Sequence, residues 1–269
     1  AQVTNPPLDA MREELVTAVC TTLGPRGNLL DPTPQSCQQV QLDRPVITEA
    51  QLAKILRNEE RPETLKTISI NTLYPVTDQA AGLEQALDDL RQAAVAAVDS
   101  GAGILVISDR GANQTQAAIP SLLAVGAVHH HLIATHRRSQ VGLVVESGDA
   151  RETHHMALLL GYGATAICPY MAFESIDQMI EGGHHGLSSE MSQEQARKNY
   201  LSACDKGLLK IMSKMGIATV ASYTGAQIFE SIGLGQEVID ECFTGTTSRL
   251  GGVGFDVLAQ EIATRHDLA

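Results

Sequence analysis

Polar residues gather just after the apolar runs of this chain, where loops leave a sheet and where proton-transfer or anion-binding groups are usually held. Ser108-Asp109-Arg110-Gly111 follows one run, Glu146-Ser147-Gly148-Asp149 another, Pro169-Tyr170 a third and Ser222-Tyr223-Thr224-Gly225 a fourth. Taken with Arg151, the set Asp109, Arg110 and Glu146 offers two carboxylates for acid/base work and two guanidinium groups for an anion. The simpler reading makes these loop residues, with Asp149 and Thr224 capping helices.

Nine histidines are present, and seven fall in three tight groups: His129-His130-His131, His154-His155 and His184-His185. Adjacent helical residues diverge by about 100°, so no group can aim all its rings at one metal, and the spacing matches no H-E-x-x-H pattern. A site assembled across groups, such as His130 with His154, stays open beside the commoner reading of helix-face histidines. The five cysteines, Cys20, Cys37, Cys168, Cys204 and Cys242, are far apart and form no C-x-x-C pair, so neither a disulfide framework nor a zinc or iron–sulfur site is signalled. Ser147 lacks the G-x-S-x-G elbow, and Cys168 precedes a proline with no evident base. The glycines at 251, 252 and 254 have neither dinucleotide-fingerprint nor P-loop spacing and read as a turn or helix start.

The chain has 269 residues, 43% of them hydrophobic, enough for one large core or two small ones. A net charge of −12, with scattered Lys and Arg, would repel a phosphate backbone, so no nucleic-acid partner is expected. The longest apolar runs, 103–107 and 141–145, fall far short of the roughly 20 residues of a membrane span. The opening Ala1-Gln2-Val3-Thr4-Asn5 has neither the basic nor the apolar region of a signal peptide. Cytoplasmic residence is expected, or the plastid stroma in a plant-type source. Aromatic residues are only 3%, so the core must be aliphatic and alanine-rich, which suits helices packed on a sheet.

The elements that would position these residues alternate. Apolar periodicity predicts an amphipathic helix over 9–22, capped by Asp9, then an irregular loop and a short helix starting at Thr48. Strands are expected over 67–71, 103–108, 141–146, 164–168 and 217–221. Helices are expected over 82–99, 119–135, 151–160, 175–181 and 193–215. The fold class is therefore α/β, a parallel sheet with crossover helices. Five strands fall short of the eight of a closed barrel, so an incomplete barrel-like domain over 67–269 is expected, preceded by an irregular N-terminal arm over 1–66.

Several longer strings go further. Ala1 to Asp9 with Arg12-Glu13, Ser108-Asp109-Arg110, Ala127-Val128-His129-His130-His131-Leu132, Val144 to Gly148 with Arg151-Glu152 and His154-His155, and above all 206–217 continuing to Gly225-Ala226-Gln227-Ile228-Phe229, resemble the central domain of the glutamate synthase large subunit. The resemblance runs nearly end to end. It implies a polypeptide with an amidotransferase domain before this one, then an FMN-binding domain with an iron–sulfur cluster and a β-helix. In that family glutamine is hydrolysed at an N-terminal cysteine, ammonia crosses an internal tunnel, and 2-oxoglutarate is aminated and reduced at FMN.

The nucleophilic cysteine and the clustered cysteines of the iron–sulfur site have no counterpart here, so the resemblance implies a non-catalytic, cofactor-free link between two sites. By the same resemblance Thr4, Asn5, Thr22, Arg26 and Asn28 are tunnel-wall or gate candidates, although Asn5-Pro6-Pro7 also reads as a plain rigid linker. Two other functions remain: an autonomous barrel-like enzyme binding an anionic metabolite at Asp109, Arg110, Glu146 and Arg151, and a pure scaffold.

Overall fold

The computed structural model describes residues 6–9, 11–59, 61–183 and 191–269. The chain enters through a single helical turn, α1 (Glu13–Val16), and an antiparallel pair, β1 (Thr21–Leu23) and β2 (Val40–Leu42). Helix α2 (Glu49–Leu56) starts at Thr48, whose hydroxyl accepts from the Gln51 amide at 3.3 Å while the Gln51 side chain accepts the Thr48 amide at 2.9 Å. This capping box satisfies two amides that would otherwise lack partners.

The central unit follows: β3 (Thr67–Asn71), β4 (Leu73–Pro75), α3 (Gln79–Asp99), β5 (Ile104–Ser108), β6 (Gln116–Ala118), α4 (Ser121–Ala134), β7 (Gly142–Glu146), α5 (Thr153–Gly161) and β8 (Ala166–Cys168). Helices α6 (Tyr170–Glu181) and α7 (Gln193–Met215) come next, then α8 (Val220–Tyr223), β9 (Glu230–Ser231), α9 (Gln236–Cys242), β10 (Thr247–Ser248) and α10 (Phe255–Leu268).

Strands β3, β5, β7 and β8 form a parallel sheet in sequential order, with α3, α4 and α5 as crossovers between neighbours. Sequential order with one crossover hand puts all three helices on one face. It is the order of half a (β/α) barrel, and among the described residues the sheet does not close. Helix α3 turns Leu83, Leu87, Leu90, Ala94 and Val98 inward at helical spacing. In α4, Gly126 lets the Cys242 carbonyl at the end of α9 approach so closely that a Cβ would overlap it.

The other face is closed by the N-terminal arm. Side chains alternate along β5, so Leu105 and Ile107 pack with the helices while Ile104 and Val106 pack with Leu23, Leu42, Ile47, Leu52 and Ile55 of the arm. The arm therefore fills the side that a complete barrel would close around. It also lengthens the sheet, since the Ile47 amide donates to the Ile167 carbonyl and the Ile167 amide to Pro45, both at 2.8 Å.

Two expectations are corrected. The helix over 9–22 is only α1, because the chain straightens to pair Ala18 with Thr219 and β1 with β2. The strand over 217–221 is reduced to that one bridge, because Thr219 accepts the Ser222 amide and caps α8.

Candidate functional site

Three of the four strand-end candidates converge. The β5–β7 register sets Ser108 opposite Glu146, so residues leaving these strands share one end of the sheet. The Ser108 hydroxyl donates to Glu146 Oε2 at 2.6 Å, and Arg110 Nε donates to Glu146 Oε1 at 2.7 Å. Arg110 Nη2 donates to Glu49 of α2 at 2.9 Å, Nη1 lies 3.6 Å from Glu174 of α6, and its Cζ stands 4.0 Å above the Tyr170 ring.

Arg197 of α7 extends the lattice, gripping both carboxylate oxygens of Asp177 and lying 3.8 Å from Glu49. The two guanidinium groups thus meet four carboxylates, and Arg110 is held in place by its neighbours. An added anion would have to displace one of them.

Asp109 is 4% exposed. The Gly148 amide donates to its two oxygens at 3.0 and 2.8 Å, and the Tyr170 hydroxyl is a further partner. Burial raises its pKa to about 6; the Gly148 bond opposes this, while Asp149 and Glu146 add to it. Behind it, the fully buried Ser147 hydroxyl lies 2.7 Å from that of Ser121 and accepts the Asp149 and Ala150 amides, while Asp149 accepts the Ser121 amide at the start of α4. Asp149 is thus an anchor for α4.

Arg151 lies apart from this cluster. It is exposed, its amide contacts His155 Nδ1 at 3.3 Å and its carbonyl accepts the Tyr200 hydroxyl at 3.0 Å. With Asp149, His155 and Arg265 it borders a shallow cleft of about 290 Å³. Cys168 is fully buried, and burial followed by Glu146 and Glu49 pushes its thiol up to about 12, far from a reactive thiolate.

The arm candidates sit elsewhere. Thr4 and Asn5, like His184 and His185, lie outside the described residues. Thr22 is exposed on β1 opposite Gln41. The Arg26 amide donates to Ser139 at 2.9 Å, and Asn28 accepts the Leu30 amide at 3.0 Å. Asn28 borders a cleft of about 590 Å³ with Pro25, Gly27, Leu29, Ser139 and Gln140. Ser139 and Gln140 lead into β7, so Arg26 and Asn28 lie near the end of the sheet opposite Arg110.

At that same end is a cluster that sequence reasoning missed. Arg138 donates to His129 Nδ1 at 2.9 Å, to the Val141 carbonyl at 2.6 Å and to the Gly163 carbonyl at 2.8 Å. Gly163 takes φ of 120°, and a Cβ there would run into the His129 ring. Burial, then the field of Arg138, depresses His129 to about 3, so it is a neutral acceptor. No sequence signal marks Arg138, because an arginine in a turn normally faces solvent. Among the described residues no group of three or more His, Cys, Asp and Glu is arranged to hold a metal ion. No helix among them is long and apolar enough to cross a membrane.

Residues 1–235 match the family described as the glutamate synthase central domain. The chain is 45% identical, over its whole length, to 18% of ferredoxin-dependent glutamate synthase 2 of Synechocystis. It is 43% identical, over 99% of its length, to 17% of the glutamate synthase [NADPH] large chain of Bacillus subtilis. Over 97% of its length it is also 43% identical to 16% of a chloroplastic/mitochondrial ferredoxin-dependent enzyme of Arabidopsis thaliana. The chain spans less than a fifth of these relatives. A flavocytochrome b2 mutant aligns with 79% of the chain and 42% of its own at 14% identity and TM-score 0.47, too loose a likeness to bear on chemistry. The end-to-end agreement with bacterial and plant large chains establishes that this chain belongs to the glutamate synthase central-domain family.

Proposed function

We propose that the chain joins the glutaminase and FMN/iron–sulfur domains of a glutamate synthase polypeptide and helps enclose the ammonia path between them, without catalysing either half-reaction. The observation that carries this reading is the full use of Arg110 by Glu146, Glu49 and Glu174 at the sheet end where a parallel α/β fold would hold a substrate. A phosphate-bearing cofactor fits poorly there, since the surrounding carboxylates outnumber the guanidinium groups. An iron–sulfur cluster fits no better, because Cys20 and Cys37 are exposed on the arm while Cys168 lies in the arm-side core and Cys204 and Cys242 in the helix-side core. Flavin reduction and cluster electron transfer belong to neighbouring domains on this reading.

A linking domain must keep two sites at fixed separation and keep water from the path, so that ammonia stays neutral. The arm supports rigidity, because its hairpin, α2 and the segment at Pro45 are all fastened to the sheet. Thr22, Arg26 and Asn28 remain the wall or gate candidates, together with Thr4 and Asn5. The test is coupling in the whole synthase: Thr22→Trp or Asn28→Trp should leave glutamine hydrolysis intact while less glutamate forms per glutamine hydrolysed. Added ammonium should restore glutamate formation. Unchanged coupling in both variants would remove these residues from the path.

A further inference from the structure

Strands β3 and β8 lie at the two edges of the parallel sheet. The β8 edge is covered from within the chain, where Val46 pairs in parallel with Ile167 and its neighbours Pro45 and Ile47 take up the Ile167 backbone groups. The β3 edge is open. In a parallel ladder, alternate residues of a strand direct their amides and carbonyls to the same neighbour. The Lys66 carbonyl accepts from Ile104 and the Thr72 amide donates to Ser108, so even-numbered residues serve β5 while Thr67, Ser69 and Asn71 point outward. Asn58 covers the first of these: its side chain donates to the Thr67 carbonyl at 3.0 Å and accepts the Thr67 amide at 2.8 Å. Beyond it, no partner among the described residues covers the Ser69 amide and carbonyl or the Asn71 amide, and both residues are exposed.

Edge strands that stand alone are normally blunted by a charge, a proline or a bulge. Thr67–Asn71 carries no charge and no proline, and its register with β5 is unbroken. The packing beside it is also unfinished. Ile68 and Ile70 are only half-buried, and Ile70 borders a cleft of about 270 Å³ between β3 and α3, lined by Leu73, Tyr74, Ala86, Leu90 and Ile119. A strand laid along β3 would send alternate side chains toward this space. Asp78 and Asp89 stand at the same cleft, both exposed; Asp78 accepts from Thr77 and Asp89 from Gln85, and neither meets a cation among the described residues.

These features select the occupant. A row of free amides and carbonyls fits an extended backbone, the half-filled cleft fits an apolar side chain, and the two carboxylates fit a Lys or Arg. A second copy of the chain fits badly, since a two-fold β3–β3 contact would gather Asp78 and Asp89 of both copies at one interface in a protein of net charge −12. More than four fifths of the length of the relatives lies outside this chain. We propose that β3 receives an extended segment from the part of the synthase polypeptide outside this chain. The segment adds a strand to the sheet, places an apolar side chain against Ile70 and Ala86, and sets a cation beside Asp78 and Asp89. Such docking rests on the reading of the chain as one domain of a longer synthase, and it requires nothing of Thr22, Arg26 or Asn28.

The test is hydrogen exchange in the isolated chain and in the whole synthase. The Ser69 and Asn71 amides should exchange at least about 100-fold more slowly in the whole synthase. Ser69→Pro spares the β3–β5 ladder, because the Ser69 amide points away from β5. It should leave the melting temperature of the isolated chain unchanged and abolish the slowing at Asn71 in the whole synthase. A benzophenone attached at Ser69→Cys should cross-link, on illumination of the whole synthase, to a peptide from outside residues 1–269. Equal exchange in the two states, slowing at Asn71 that survives Ser69→Pro, or a cross-link to residues 1–269 of a second copy would each overturn the docking. None of these results would alter the coupling of glutamine hydrolysis to glutamate formation in the Thr22 and Asn28 variants, which tests the linking function separately.

Discussion

Arg110 Nε donates to Glu146 Oε1 at 2.7 Å across the ends of two neighbouring strands, joining β5 to β7 through side chains where backbone pairing stops. Glu146 is the more enclosed partner, with its side chain 12% exposed against 42% for Arg110. Removing the arginine strands the glutamate charge. Arg110→Met should destabilise the chain by about 1–3 kcal/mol, below the full cost of a buried pair because Arg110 is part-exposed. Urea unfolding checks this, and Arg110→Met combined with Glu146→Met should recover much of the loss.

Asp109 gives a pH dependence whose sign follows from its raised pKa. Its folded value is about 6, against about 3.9 in an unfolded chain. Between those values the folded state holds a proton that the unfolded state has lost, so this group's contribution to stability falls as pH rises from about 4 to 6. Asp109→Asn removes the effect. Wild type should lose stability relative to the variant through that window, and the difference should level off above it, as measured by denaturant titrations at stepped pH.

His129 acts in the opposite sense. Its folded pKa is depressed to about 3 from an unfolded value near 6.5, so below pH 6.5 the unfolded chain takes up a proton that the folded chain refuses. Its contribution is complete above 6.5 and is lost as pH falls toward 3. Wild type should therefore lose stability on acidification faster than His129→Gln, which keeps a carbonyl acceptor for Arg138. A parallel pH course for the two would remove His129 as the cause.

The thiols divide by location. Cys20 and Cys37 are exposed, while Cys168, Cys204 and Cys242 are buried, with burial raising their pKa values to about 12, 11 and 12. An aromatic disulfide reagent at pH 8 should modify two thiols rapidly and the other three only after denaturant is added.

What was legible in the sequence is what local pattern encodes. The runs in β5 and β7 are β-favouring and apolar on both faces, and α7 has the predicted bounds because Ser192 and Gly216 punctuate it. The start of the arm was not legible, because 18–23 obeys partners far along the chain at 40–42 and Thr219, which override a helical periodicity. At the site, Asp109, Arg110 and Glu146 could be read from their positions after strands. Glu49, Glu174 and Arg197 could not, since each reaches the cluster from a helix distant in sequence. Arg151 follows Asp149 towards α5, where its amide contacts His155 and its carbonyl accepts the Tyr200 hydroxyl.

On the proposed function this chain joins two active sites and holds neither. The most direct test is a titration of the purified chain with FMN, followed by flavin fluorescence and absorbance, with glutamine hydrolysis and glutamate formation assayed on the same sample. The account predicts no saturable flavin signal and no turnover. Saturable FMN binding, or either activity, would contradict it.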